Sequence, residues 1–115
     1  MIDWTHIKQL ETDVGAAEFK NVVALFLDEV DSEIELLRTP VRTPEILKSK
    51  MHFLRGSAYY LGFREFGDLC AQNELLADTE RAGDIDLNHL ILVYDLSRSR
   101  FLDEAPKYCS FVTAA

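Results

Sequence analysis

The chain has 115 residues, 48% hydrophobic and 28% charged, with a formal net charge of -8. This composition suits one soluble globular unit and excludes a broad basic surface for nucleic acid, because phosphate contacts need Lys and Arg in number. The longest uninterrupted apolar run, Val22 to Leu27, is far short of the roughly 18 residues of a membrane-spanning helix.

The start, Met-Ile-Asp-Trp-Thr-His, lacks a signal peptide's charged and apolar regions. With only Cys70 and Cys109, too few for a disulfide framework or a zinc pattern, a reducing cytoplasm is the simplest setting. Neither thiol has a nearby His or cation cluster to stabilise a thiolate, so both read as small buried hydrophobes.

In chain order, Trp4, Ile7 and Leu10 predict a short N-terminal helix lying over one end of the molecule. Phe19, Val22, Val23, Phe26, Val30, Ile34 and Leu37 recur at helical spacing, with Asp13 as the expected N-cap. This long helix should end near Arg38 or Thr39, since Pro40 disfavours helical geometry in the residue before it.

Thr43-Pro44 is a helix start signal, followed by the buried stripe Leu47, Met51, Leu54, Ala58 and Leu61. Gly62 is the expected left-handed C-terminal cap. A further helix from about Arg64 to Arg81 would bury Phe66, Leu69, Cys70, Asn73, Leu76 and Ala77 and stop at Gly83. Asp84 or Asp86 would cap the last helix, with the stripe Leu87, Leu90, Ile91, Tyr94, Phe101 and Leu102. Pro106 is expected to kink or break it, leaving Lys107 to Ala115 as a last turn or a packed tail.

No alternating pattern is long enough for a sheet, no segment repeats, and no linker divides the chain. The expected fold is all-α: an antiparallel up-down-up-down four-helix bundle with a short N-terminal helix, forming a single domain over residues 1–115. One buried stripe per helix requires no second copy, so a monomer is expected.

The most informative stretch is Met51 to Gly62. His52 follows Met51 of the buried stripe, which turns its imidazole about 100° off the core direction. Arg55 and Gly56, three and four residues on, share its exposed strip. Gly56 costs about 1 kcal/mol relative to Ala inside a helix, and a missing side chain there leaves room over the imidazole for another protein. Arg55 can offset the charge of a phosphoryl group, and Ser57 can donate a hydrogen bond to it.

Between Arg38 and Arg64 six cations meet only one acid, Glu45, a local charge of +5 that leaves -13 elsewhere. This predicts a small positive face around His52, including Lys48, for a phosphate or an acidic partner. His6 and His89 read as ordinary surface residues. No metal-ligand cluster, paired catalytic carboxylates, Gly-rich phosphate loop or Cys-His pair is visible.

His52-Phe53-Leu54-Arg55-Gly56-Ser57, followed by Leu61-Gly62, resembles the motif of the histidine-containing phosphotransfer (HPt) domain family. The opening Ile-Asp-Trp, the Phe26-Leu27 segment and the helix order extend the resemblance over nearly the whole chain. It implies a four-helix bundle with an exposed histidine midway along its second bundle helix.

The implied function is a phosphorelay intermediate of two-component signalling, with no kinase activity and no cofactor of its own. His52 would be the nucleophile, taking a phosphoryl group on Nε2 from a response-regulator receiver domain or a sensor histidine kinase and passing it to another receiver. The receiver would supply the acidic pocket and Mg²⁺. Arg55 would stabilise the phosphoryl oxygens, and Gly56 would admit the receiver loop. The alternative is an HPt-like helical adaptor that binds such partners without phosphotransfer.

Two features depart from the family pattern. Glu74 stands where a Gln often orients the histidine. Its carboxylate can accept the Nδ1 proton and leave Nε2 free to attack, although it also favours a charged ring over the neutral one; a solvated surface residue is the alternative. Tyr59 and Tyr60 stand where small residues are common, with Tyr59 either part of the docking surface for the partner or packed across the helix boundary with its hydroxyl exposed.

Overall fold

A computed structural model describes residues 2–39 and 43–109. The described residues are all-α, a helical bundle of five α-helices: α1 (Trp4–Val14), α2 (Ala16–Leu37), α3 (Pro44–Leu61), α4 (Arg64–Asp78) and α5 (Leu87–Tyr108), with a 3-10 turn at Ala82–Asp84 before α5. The only extended pairing among them is a single bridge between Ile2 and Phe63. No described helix is long and apolar enough to cross a membrane. Arg42 of the predicted cationic set and the tail beyond Cys109 lie outside the described residues.

Local chemistry sets most of the boundaries. Thr43 accepts a hydrogen bond from the Ile46 amide at 3.2 Å and Pro44 opens α3, so one orphan amide is satisfied and another never exists. α3 ends at Gly62, whose φ of 86° is left-handed. There a side chain would also meet Ile7 Cγ1 at 2.9 Å and the Asp3 carbonyl at 3.1 Å. Gly62 therefore ends α3 and lets the front of the chain close against it. Asp86, rather than Asp84, caps α5, accepting from the His89 amide at 3.0 Å.

Three boundaries differ from the sequence expectation. α1 runs on to Val14, so Asp13 lies inside it and accepts from Gln9 Nε2 at 2.8 Å. The break before α2 falls instead at Gly15, with φ 88°. α4 stops at Asp78 rather than near Arg81. Glu80 turns left-handed, at φ 63°, and the Arg81 amide reaches back to the Leu76 carbonyl at 2.7 Å, a Schellman closure without the usual glycine.

Pro106, expected to kink or break the last helix, sits within α5. It falls in the final turn, where its missing donor deprives only the Leu102 carbonyl of a partner. The ladder resumes at once, with the Cys109 amide bonded to the Ala105 carbonyl at 2.8 Å.

The buried stripes of all five helices meet in one core. At its centre Phe63 packs on Phe26 and Phe101, with ring centroids 5.1 and 5.4 Å away. Trp4 holds α1 in place, stacking on Tyr108 at 4.6 Å and Phe101 at 5.5 Å while its indole N–H donates to Glu104 at 2.9 Å. Asp31 ties α2 to α5 by accepting from the buried Tyr94 hydroxyl at 2.5 Å and from Arg98 Nη2 at 3.0 Å. Burial, then the Asp31 hydrogen bond, holds the Tyr94 phenol far above its ordinary pKa.

α1 also caps α3. The Asp3 amide bonds to the Gly62 carbonyl at 2.8 Å, and His6 Nε2 donates to the Tyr60 carbonyl at 2.7 Å. Both carbonyls are among the four that a helix end leaves without internal partners. His6 is thus a capping group, a role its sequence context did not signal.

Candidate functional site

α3 packs most extensively on α4, and the groove between them carries the candidate site. Met51, Leu54 and Ala58 are fully buried, which fixes the rotation of α3 and turns His52 outward, its side chain 67% exposed. Glu74 projects from α4 to meet it: His52 Nδ1 lies 2.9 Å from Glu74 Oε2. Glu74 is not a solvated surface residue, since its side chain is only 15% exposed.

Arg55 completes the cluster. Its Nη2 is 3.1 Å from His52 Nδ1 and its Nη1 is 3.3 Å from Glu74 Oε1. The second contact is within ion-pair range but off hydrogen-bond alignment, and Oε1 is shielded from solvent with no hydrogen-bond partner. One ring nitrogen thus faces both a carboxylate, which can only accept, and a guanidinium, which can only donate.

A proton on Nδ1 favours Glu74 over Arg55, since the ring N–H and Nη2 are then both donors. It satisfies the shorter contact to Glu74, while Arg55 keeps the Glu74 carboxylate as its own partner. The other tautomer would set a lone pair against the carboxylate at 2.9 Å. The guanidinium also lies against the carboxylate and offsets its charge. Nε2, on the far side of the ring, is left with its lone pair.

Gly56 is exposed, and a β-carbon built there meets nothing within 4 Å. No helix-helix contact accounts for this glycine; the space beside His52 is open. Ser57 is half-buried, and among the described residues no hydrogen bond joins it to His52, Arg55 or Glu74. Five residues along the helix carry it about 140° round from His52, so it stands apart from the cluster.

The positive face expected from the sequence is largely cancelled. Lys48 pairs with Asp78 at 2.6 Å, Lys50 with Glu33 at 2.7 Å, and Arg38 with Asp95 at 3.6 Å, besides the Arg55 contact with Glu74. Arg64 stands 3.9 Å from Asp3. The cations cluster along the chain, but apart from Glu35, 3.4 Å from Arg38 and one turn before it, their partners come from α2, α4, α5 and the N-terminal segment, which only the fold brings near. The Asp78 hydrogen bond and charge hold the Lys48 ammonium above its ordinary pKa.

Tyr59 packs across the helix boundary. Its ring fills the space beside Gly67 of α4, where a β-carbon would come within 2.7 Å of Cδ1 and Cε1. Its hydroxyl donates to Asp68 at 2.5 Å. That bond raises its phenol pKa, with burial and the Asp68 charge adding to the rise. Sequence reasoning missed Gly67, Asp68 and Asp78. A glycine inside a helical pattern was the available sign, since it marks close approach by a neighbour.

Among the described residues no group of three His, Cys, Asp or Glu side chains could hold a metal ion. The site is therefore an exposed imidazole with its inner nitrogen anchored, its outer nitrogen open, and clear space one helical turn away. No curated protein and no solved structure gives a significant match to the chain. Residues 21–105, well over half of it, match the family model described as Hpt domain, and the chain, with this histidine on its bundle surface, belongs to the Hpt domain family, whose members carry out phosphotransfer in two-component signalling.

Proposed function

We propose that this protein is a cytoplasmic phosphorelay intermediate in which His52 carries the phosphoryl group. In the forward step the neutral imidazole attacks through Nε2: the acyl phosphate P–O bond of a receiver aspartate breaks and an Nε2–P bond forms. The aspartate is left as a carboxylate and the Nδ1 proton stays on the ring. The resulting ring, substituted at one nitrogen and protonated at the other, bears a positive charge that Glu74 faces. Passage to a second receiver, or delivery from a sensor histidine kinase, uses the same nitrogen.

The loose transition state of phosphoryl transfer asks mainly for positioning and charge stabilisation, which a passive bundle presenting one anchored imidazole provides. Mg²⁺ and the acidic pocket belong to the receiver, so the bundle holds no cofactor of its own. The open space at Gly56 admits the receiver loop, and Lys48 and Tyr59 border the docking face from their tethers on α4. Ser57, on another side of α3, has no part in the transfer. The observation that carries this reading is the 2.9 Å contact between Nδ1 and Glu74, on a histidine that is otherwise 67% exposed.

The test is transfer from a labelled phospho-receiver. The wild-type chain should acquire acid-labile label and return it to receiver, and His52→Gln should acquire none. Label retained by His52→Gln refutes the assignment, and stable receiver binding without label in the wild type establishes the adaptor instead.

A further inference from the structure

We infer that Glu74 holds Arg55 away from the phosphoryl position and so sets the lifetime of the phosphohistidine. The inference rests on the phosphotransfer reading above and concerns the regulation of the same site. It starts from the departure at position 74. A glutamine there could accept the Nδ1 proton through its amide oxygen as well as a carboxylate does. Orienting His52 therefore does not require a charge.

The charge does something further. Arg55 lies on the Nδ1 side of the ring, with Nη2 at 3.1 Å from that nitrogen and Nη1 at 3.3 Å from Glu74 Oε1. It is turned toward the anchored nitrogen rather than toward the open one where the phosphoryl group forms. To reach phosphoryl oxygens on Nε2, Arg55 must leave Glu74. Departure would leave a carboxylate whose Oε1 is already shielded from water and without a hydrogen bond. The phosphoryl group and Glu74 thus compete for one guanidinium. The arrangement favours a carrier that gives its phosphoryl group up over one that stores it.

The chemistry separates cleanly in vitro. Phosphoramidate loads His52 without a partner protein: its P–N bond breaks, ammonia leaves, and the Nε2–P bond forms. Spontaneous loss then breaks the Nε2–P bond as water oxygen bonds to phosphorus, one water proton passing to Nε2 and inorganic phosphate leaving. The half-life of the second reaction is measured in the wild type, Glu74→Gln, Arg55→Ala and the double variant.

Glu74→Gln should lengthen the half-life at least about threefold, the factor associated with a partly exposed ion pair, and Arg55→Ala should shorten it. In the Arg55→Ala background the Glu74→Gln change should have almost no effect, because no guanidinium remains to be released. Ring ¹⁵N shifts should show the proton on Nδ1 in both the wild type and Glu74→Gln.

An equal effect of Glu74→Gln in both backgrounds overturns the inference, since charge repulsion alone would then explain it. An unchanged half-life overturns it too, as does a change of tautomer in Glu74→Gln. If His52 loads normally and any of these is seen, phosphotransfer stands and only the role of Glu74 falls. If His52 takes no phosphoryl group from phosphoramidate or from a receiver, both fall together.

Discussion

Replacing Gly56 by alanine separates stability from recognition at a single atom. Gly56 lies within α3, one turn beyond His52, exposed and with no neighbour within 4 Å of a built β-carbon. A methyl group there removes no contact and creates no clash within the protein. What remains is the conformational freedom glycine loses on entering a helix, about 1 kcal/mol relative to alanine. Gly56→Ala should therefore stabilise the fold by about that amount, raising the melting temperature by roughly 4 °C for a domain of this size.

Function should move the other way. The methyl projects into the space that the receiver loop must enter, so transfer from a phospho-receiver should fall at least about tenfold, the effect of about 1.4 kcal/mol of misfit in the transfer complex. Loading by phosphoramidate, which needs no protein partner, should fall far less. Thermal and urea denaturation read the first effect, and paired transfer rates read the second. A destabilised Gly56→Ala would reveal a packing role for the glycine. Greater stability with undiminished receiver transfer would show that the open space admits nothing, and the steric argument would fail.

Gly62 and Gly67 behave differently because their surroundings do. Gly62→Ala combines a left-handed φ of 86° with a 2.9 Å approach to Ile7, and should cost about 2 kcal/mol in urea denaturation; a neutral effect would mean that α1 is not seated on α3 as described. Gly67→Ala should push the Tyr59 ring off α4 and break its bond to Asp68. The Tyr59 phenol pKa, raised mainly by that bond, should then fall back toward its ordinary range in an ultraviolet pH titration, whereas an unchanged titration would contradict the packing. Burial raises the thiols of Cys70 to about 12 and Cys109 to about 11. At neutral pH both should resist a thiol reagent until the chain unfolds, and rapid modification of native protein would show that the thiols are accessible.

The sequence disclosed what local chemistry decides. The Thr43-Pro44 start and the Gly62 stop bracket α3 because capping and left-handed geometry depend on residues within one turn. The register of Met51, Leu54 and Ala58 then fixes the outward face of His52. Glu80, by contrast, adopts φ 63° without being a glycine, so the end of α4 carried no visible sign.

Charge was the least legible property. Six cations between Arg38 and Arg64 look like a positive face when counted along the chain. Lys48, Lys50 and Arg55 instead find Asp78, Glu33 and Glu74 across helix boundaries. Apolar periodicity survives folding because it causes the packing, while ion pairs are chosen by it. Glu74 reached the sequence account through family resemblance, and its grip on Arg55 became visible only with both helices in place. The role of Tyr59 likewise depended on Gly67, eight residues on and on another helix.

The central claim is that a phosphoryl group resides on the outer nitrogen of His52 while Glu74 keeps the inner one protonated. Phosphorus-nitrogen coupling in a ¹⁵N-histidine-labelled, phosphorylated sample tests it directly. The account predicts coupling at Nε2, a proton at Nδ1, and no phosphohistidine signal in His52→Gln. Phosphorus on Nδ1, or on any residue that survives the His52→Gln substitution, would contradict it.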